Sequence, residues 1–259
     1  MNGQIALKPI ALIKTGCTIE EIRQQHGDFE DWFAEGMGVS DLLQIDVFRQ
    51  QPLPAAEDLA GVVITGAAAM VSDRESWSEH TGQWLKQVVD KGIPVLGVCY
   101  GHQLLAQALG GKVGLNPAGR QIGTVKGELL DTSKNDPLLG QLPDTFPAQT
   151  SHSEVVLELP PGAESLATSP LTDNFAIRFA ENVWGVQFHP EFSTAVMSEY
   201  IRYRADAIRE EGQSPEQLLD KITDTEVANS VLMKFANMIR NEALVGGAPR
   251  GDFSGVVQT

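Results

Sequence analysis

Two short stretches hold residue types whose spacing could do chemistry. The first is Gly97-Val-Cys-Tyr-Gly-His-Gln103. Its Cys99 stands between an apolar run, residues 93–98, and a run over 101–109 that reads as a helix closed by Gly110-Gly111. A cysteine on a sharp strand-to-helix turn is held out of the sheet. Its sulfur then faces the helix N-terminus, where backbone N–H groups and the dipole favour thiolate over thiol. Gly97 and Gly101 let the backbone turn that tightly and leave space above the sulfur. The competing reading of Cys99 is a small buried hydrophobe, because free cysteine is among the most buried residue types.

Thiol catalysis needs a base and a group that orients the base. Five histidines are candidates. His26 and His80 lie in polar contexts and read as surface residues. His102, three residues past Cys99 on the helix, reads as a packing residue. His152, in Thr150-Ser-His-Ser-Glu154, is ambiguous. The second chemical stretch is His189-Pro-Glu191, at the end of the apolar run 183–188. Pro190 fixes the turn, and the i, i+2 spacing sets Glu191 beside the imidazole, as in a catalytic triad. A strand-end histidine with a solvated glutamate is the alternative. Acyl transfer also needs oxyanion donors. The Tyr100 N–H, at the helix start, is one. Gly66-Ala67, ending the apolar run 59–65, is the natural supplier of the other.

These groups need elements to position them. The pattern predicts strands over 10–13, 42–48 and 59–65. It predicts a helix opening at 19–23 and extended loosely through Phe29, Trp32 and Phe33, and another over 77–89, where apolar residues recur at helical spacing. The Cys99 strand and helix follow. Strand–helix alternation implies parallel strands with right-handed crossovers and helices on both faces. Reactive groups in such sheets collect at the carboxyl ends of strands. The middle changes character, with strands predicted over 123–130, 154–159, 174–179 and 183–188. A helical pattern resumes at Ser193, then a polar stretch, 209–215, and a last amphipathic helix from about Thr225. The expected organisation is an α/β domain over 1–195, a C-terminal helical extension of it over 196–245, and a flexible tail over 246–259. Arg250-Gly-Asp252 in that tail reads as chance.

Bulk properties narrow the function classes. The chain has 259 residues, 42% hydrophobic and 20% charged, which suits one large domain or one domain with an extension. A net charge of −15 disfavours nucleic-acid backbones and anionic membranes as partners. Two cysteines, Cys17 and Cys99, make no disulfide framework. The N-terminal residues show no signal-peptide pattern, and the apolar runs are far short of a membrane span. The expectation is a cytoplasmic, reduced protein.

Gly97-Val-Cys-Tyr-Gly-His-Gln103 together with Gln187-Phe-His-Pro-Glu191 resembles the triad-type, class I glutamine amidotransferases. The motifs occur in that family's order and at about its spacing, and the resemblance covers roughly residues 10–195. It implies a flavodoxin-like fold with an open, mostly parallel sheet. It implies that Cys99 attacks the carboxamide of glutamine, forming a γ-glutamyl thioester and releasing ammonia. His189 would be base and then acid, with Glu191 orienting it. The N–H groups of Tyr100 and Ala67, on the Gly66-Ala67 turn, would bind the oxyanion. Gln103 matches a glutamine whose side chain contacts substrate, and Ser151-His152 a segment whose backbone holds the substrate's amino-acid end. No cofactor and no metal are implied. In one place the chain departs from the pattern. The third strand usually leads into Gly-Gly-Pro, and here it reads Thr65-Gly-Ala-Ala-Ala69. If the second glycine needs positive φ, Ala67 would be strained.

Within the family the chain looks most like the glutaminase portion of GMP synthetase, or a stand-alone relative of it. It lacks both phosphate-loop patterns that an ATP site would need. One reading is therefore a glutaminase passing ammonia to a separate synthetase partner. A second is a hydrolase of other γ-glutamyl amides or peptides, since one thioester serves both. A third, from another class, is a non-catalytic regulatory protein on this scaffold. The C-terminal helices, 194–240, are the candidate docking surface for a partner. Cover for the sheet and a homodimer face are the competing readings of those helices.

Overall fold

A computed structural model of the chain describes residues 8–246. Strand β1 (Ile10–Lys14) is buried along its whole length. Its side chains alternate between two apolar clusters, Leu12 in one and Ala11 and Ile13 in the other, as the two-residue period of a strand requires. Two helices follow, α1 (Glu20–His26) and α2 (Phe29–Met37), where one loosely extended helix was expected. Gly27 at φ 79° breaks the run, and Asp28 restarts it through a reciprocal capping box with Asp31. Then come β2 (Leu43–Asp46), β3 (Gly61–Ile64), α3 (Ser76–Asp90), β4 (Val95–Val98) and α4 (Tyr100–Ala108).

The middle of the chain is richer in strands than its sequence predicts. It holds β5 (Lys112–Leu115), β6 (Gln121–Leu129), β7 (Thr145–His152), β8 (Glu154–Glu158), β9 (Glu164–Ser169), β10 (Thr172–Ala180) and β11 (Val183–Val186). The chain then runs through α5 (Thr194–Tyr203), α6 (Ala205–Glu210), α7 (Pro215–Leu219) and α8 (Glu226–Gly246).

Nine strands form one sheet in the order β2-β1-β3-β4-β11-β10-β9-β6-β7, and β5 and β8 pair separately. The part that carries the candidate chemistry, β2 to β11 in that order, is parallel throughout. Antiparallel strands extend it on one side. The apolar faces of α3 and α4 cover one side of the sheet through Leu85, Val88, Leu104 and Leu105. The other side is covered by α2, α5 and α8 through Phe33, Val196, Leu232 and Phe235. This is an open α/β fold of flavodoxin type with helices on both faces. Residues Val231, Leu232 and Phe235 of α8 share one apolar cluster with Leu12 and Phe33, so that face of α8 is used in covering the sheet. Among the described residues no helix is long and apolar enough to cross a membrane. Of the expected flexible tail, residues 247–259, with Arg250-Gly-Asp252, lie outside the described residues.

Candidate active site

The carboxyl ends of β3, β4 and β11 lie side by side, because Ile64 pairs with Gly97 and Val98 with Val186. One residue beyond β4, Cys99 takes φ 50° and ψ −99°. A non-glycine residue held there costs about 1–3 kcal/mol and persists only when its surroundings impose it. Here they do. The Cys99 N–H donates to Val186 O at 2.8 Å, and the Gly101 N–H donates to Thr65 O at 3.2 Å. A Cβ on Gly97 would meet Gly101 O at 2.5 Å, and one on Gly101 would meet Ile64 Cβ at 2.7 Å. The turn therefore closes only with glycine at both positions. The Tyr100 N–H opens α4 and has no acceptor among the described residues. The Tyr100 hydroxyl donates to Ser78 Oγ at 2.6 Å.

His189 arrives from the end of β11, its N–H donating to Gln149 O on β7 at 2.8 Å. Its Nδ1 lies 2.7 Å from Glu191 Oε1, and Cys99 is near enough to favour the charged ring. The ring stacks on Phe192 at 4.0 Å, and Phe192 packs in turn on Phe29, Trp32 and Tyr200. Burial by itself would push this imidazole's pKa down. Glu191 and Cys99 outweigh burial and hold it up, at about 10. His189 is therefore protonated at neutral pH. Gly66 closes the remaining side. A Cβ there would sit 2.9 Å from His189 Cε1 and 3.6 Å from Cys99 Cβ.

The Gly66 carbonyl is held by two hydroxyls, Thr15 Oγ1 at 2.9 Å and Thr65 Oγ1 at 3.0 Å. Among the described residues only Gln50, Arg74 and Cys99 combine a side chain with positive φ. The strain expected at Ala67 is therefore absent: the hydroxyl clamp on Gly66 shapes the loop with Ala67 in ordinary backbone space. Ala67, Tyr100, Gln103, Ser151 and His152 line one small pocket with Cys99, about 50 Å³ in volume. The Cys99 thiol lies 3.9 Å from Ser151 O. Gln103 donates through Nε2 to Glu154 O at 2.7 Å and Gln187 Oε1 at 3.1 Å, which ties α4 to the start of β8 and the end of β11. His152 donates from Nδ1 to Glu154 O at 3.0 Å, and burial pushes its pKa down to about 3, so it stays neutral. His102 is wholly buried against Phe179, its pKa pushed down to about 4 by burial. His80 is exposed and His26 half-buried.

The model of the family "Glutamine amidotransferase class-I" matches residues 37–205. The chain belongs to this family. Among curated relatives, the glutamine-hydrolysing GMP synthase of Aeropyrum pernix is 40% identical over 141 residues, 54% of this chain and 25% of that protein. The corresponding GMP synthase of Staphylococcus saprophyticus is 32% identical over 156 residues, 58% of this chain and 28% of that protein. The matched region thus spans about a quarter of the length of these relatives. Among solved structures, a glutamine amidotransferase of Thermotoga maritima superposes with a TM-score of 0.70, at 24% identity, over 90% of this chain and 98% of that one. A glutamine amidotransferase of Methylobacillus flagellatus superposes with a TM-score of 0.69, at 23% identity, over 97% of this chain and 100% of that one. At these identities the superpositions speak for the fold.

Three positioning residues of this site escape a sequence reading. Thr15 clamps Gly66, but in sequence it only marks the stop of an apolar run. Asn229 on α8 donates to Pro190 O at 2.6 Å and Phe192 O at 3.2 Å, fixing the His189-Pro-Glu turn from a distance of 39 residues. Glu154, 1% exposed, accepts from the Val71 N–H at 2.8 Å and anchors the far end of the Ala67–Met70 loop. A buried carboxylate two residues past His152 was the one available signal, and nothing in the sequence gave it a partner.

Proposed function

We propose that the chain hydrolyses the carboxamide of L-glutamine through Cys99, His189 and Glu191. The observation that carries this reading is the buried imidazole of His189, paired with Glu191 at 2.7 Å and sharing with Cys99 the space above Gly66. With Nδ1 committed to Glu191, Nε2 is left for the sulfur. With the shared proton already on His189, Cys99 attacks the carboxamide carbon as the thiolate. The oxyanion that forms accepts from the N–H groups of Tyr100 and Ala67. A trans peptide points its C=O and N–H in opposite directions. The hydroxyl clamp on Gly66 O therefore supports an Ala67 N–H directed away from Thr15 and towards the pocket that Ala67 lines. His189 then protonates the departing nitrogen, and ammonia leaves behind a γ-glutamyl thioester on Cys99. Water, deprotonated by His189, attacks the thioester. Glutamate departs, and the thiol is restored.

The ammonia passes to a separate synthetase-type partner in this reading. The support is that the relatives by name hydrolyse glutamine to make GMP, while this chain matches only their glutamine amidotransferase quarter. The test is to incubate the protein with L-glutamine and, in parallel, with γ-glutamyl peptides, following glutamate and ammonia. The expected result is glutamate release from L-glutamine that Cys99→Ser abolishes. Turnover of γ-glutamyl peptides alone would move the assignment to γ-glutamyl amide hydrolysis. Inertness towards both would leave a non-catalytic role on this scaffold.

A further inference from the structure

The pocket beside Cys99 is lined by two guanidinium groups, Arg120 and Arg204, that no catalytic step uses. They are held differently. Arg120, just ahead of β6, makes a two-pronged ion pair with Glu211, Nε at 2.8 Å and Nη2 at 2.9 Å. Arg204, at the joint of α5 and α6, lies over the Tyr200 ring at 6.0 Å. Its Nε is fully buried without a hydrogen-bond partner among the described residues. Burial and the charge of Arg120 push its pKa down by more than Tyr200, Cys99 and Tyr203 raise it. A half-buried cation beside a second cation, with no ion-pair partner of its own among the described residues, is an arrangement that an arriving anion relieves.

The chemistry of the pocket restricts that anion. The planar guanidinium fork matches a carboxylate through two parallel hydrogen bonds. Any γ-glutamyl compound that reaches the Cys99 sulfur carries its α-carboxylate a few bonds from the reacting carbonyl, inside the same small pocket.

We infer that Arg204, seconded by Arg120, is the carboxylate-recognition site of the pocket and receives the α-carboxylate of the γ-glutamyl substrate. This deepens the proposed thioester chemistry and rests on it. Arg204 acts in binding, not in bond breaking, so its removal should weigh on KM more than on kcat. It also gives the enzyme a preference for substrates with a free α-carboxylate, since a neutral group there leaves the guanidinium unpaired.

The test compares wild type, Arg204→Ala and Arg204→Lys on L-glutamine and on L-glutaminamide, in which a neutral amide replaces the α-carboxylate. Thermal unfolding of each variant checks its folding. Loss of one member of a buried charge pair predicts that Arg204→Ala raises KM for L-glutamine by at least about 30-fold. The penalty on L-glutaminamide is at least about tenfold smaller, and Arg204→Lys recovers part of the loss, because only the charge is kept. Calorimetry of L-glutamate binding to the Cys99→Ser protein reads the same contact without turnover, and Arg204→Ala should weaken it by a similar factor. Equal penalties on both substrates, or unchanged glutamate binding, would overturn the assignment. So would a penalty seen only with γ-glutamyl peptides that carry a second, distal carboxylate. If wild type turns over nothing while glutamate binding still depends on Arg204, the thioester reading falls and the carboxylate site stands.

Discussion

Cys99 and His189 meet at one rim but are held by different kinds of structure. The cysteine is fixed by backbone, its own turn and the two strands beside it, whose Thr65 and Val186 carbonyls accept from the Gly101 and Cys99 N–H groups. Its φ of 50° follows from a tight turn whose glycines permit a backbone approach that no side chain would tolerate. The histidine is fixed by remote side chains. Glu191 and Phe192 are near in sequence, but Gly66, Gln149 and Asn229 come from the end of β3, from β7 and from α8. The cysteine turn is complete once β3, β4 and β11 have paired. The geometry of the base has to wait until both faces of the sheet are covered. The cysteine side should therefore be insensitive to remote side-chain changes, and the histidine side sensitive to them.

The largest expected effect tests the histidine's electrostatics. Glu191→Gln removes the charge that holds the imidazole up and no longer enforces its tautomer, so kcat should fall about 10³- to 10⁴-fold. In wild type the His189 proton is retained until pH rises through about 10. Its contribution to stability is full below about pH 6.5 and fades over that interval. Glu191→Gln should move the alkaline limb of kcat/KM to lower pH by about one unit or more. An unmoved limb would mean that Glu191 does not set the histidine's charge.

Gly66→Ala tests the seam between the two sides. Its methyl group would press on His189 Cε1 at 2.9 Å and reach Cys99 Cβ at 3.6 Å. Displacement of the ring should cost about 100-fold in kcat with little change in KM. Asn229→Ala tests the remote support alone. It leaves the carbonyls of Pro190 and Phe192 without their donor. Denaturant unfolding should show a loss of about 1–3 kcal/mol, with kcat down about tenfold. Full activity in Asn229→Ala would break the comparison, since the base would then be held locally after all. Ala67→Gly should do least. Because Ala67 is not at positive φ, glycine relieves nothing there, and stability should drop by about 0.4–1 kcal/mol through the freer unfolded chain. A gain in stability instead would reveal strain at Ala67.

The same contrast explains what was legible in the sequence. The alternating half could be read because buried parallel strands are continuous apolar runs, as in Gly61–Ile64 and Val95–Val98, and because α3 shows an apolar stripe at helical spacing. The turn at Cys99 was legible for the same local reason, in the glycines at 97 and 101. Strand β7 was not. Its buried positions include Gln149, Thr150 and His152, polar side chains that mask the two-residue period. Helix α7, which opens at the end of the polar stretch 209–215, was not read, although Ser214 caps it and Pro215 occupies its first turn. The roles of Thr15, Asn229 and Arg204 arise from contacts across the sheet that no local pattern encodes.

The central claim is that His189, oriented by Glu191, activates Cys99 towards a γ-glutamyl carbonyl. Its most direct test is labelling with a diazoketone analogue of glutamine, read by peptide mass spectrometry. The account predicts one adduct, on Cys99 and not on Cys17, slowed by excess L-glutamine and slowed strongly in Glu191→Gln. Labelling of Cys17, or labelling of Cys99 at the same rate with and without the Glu191 carboxylate, would contradict it.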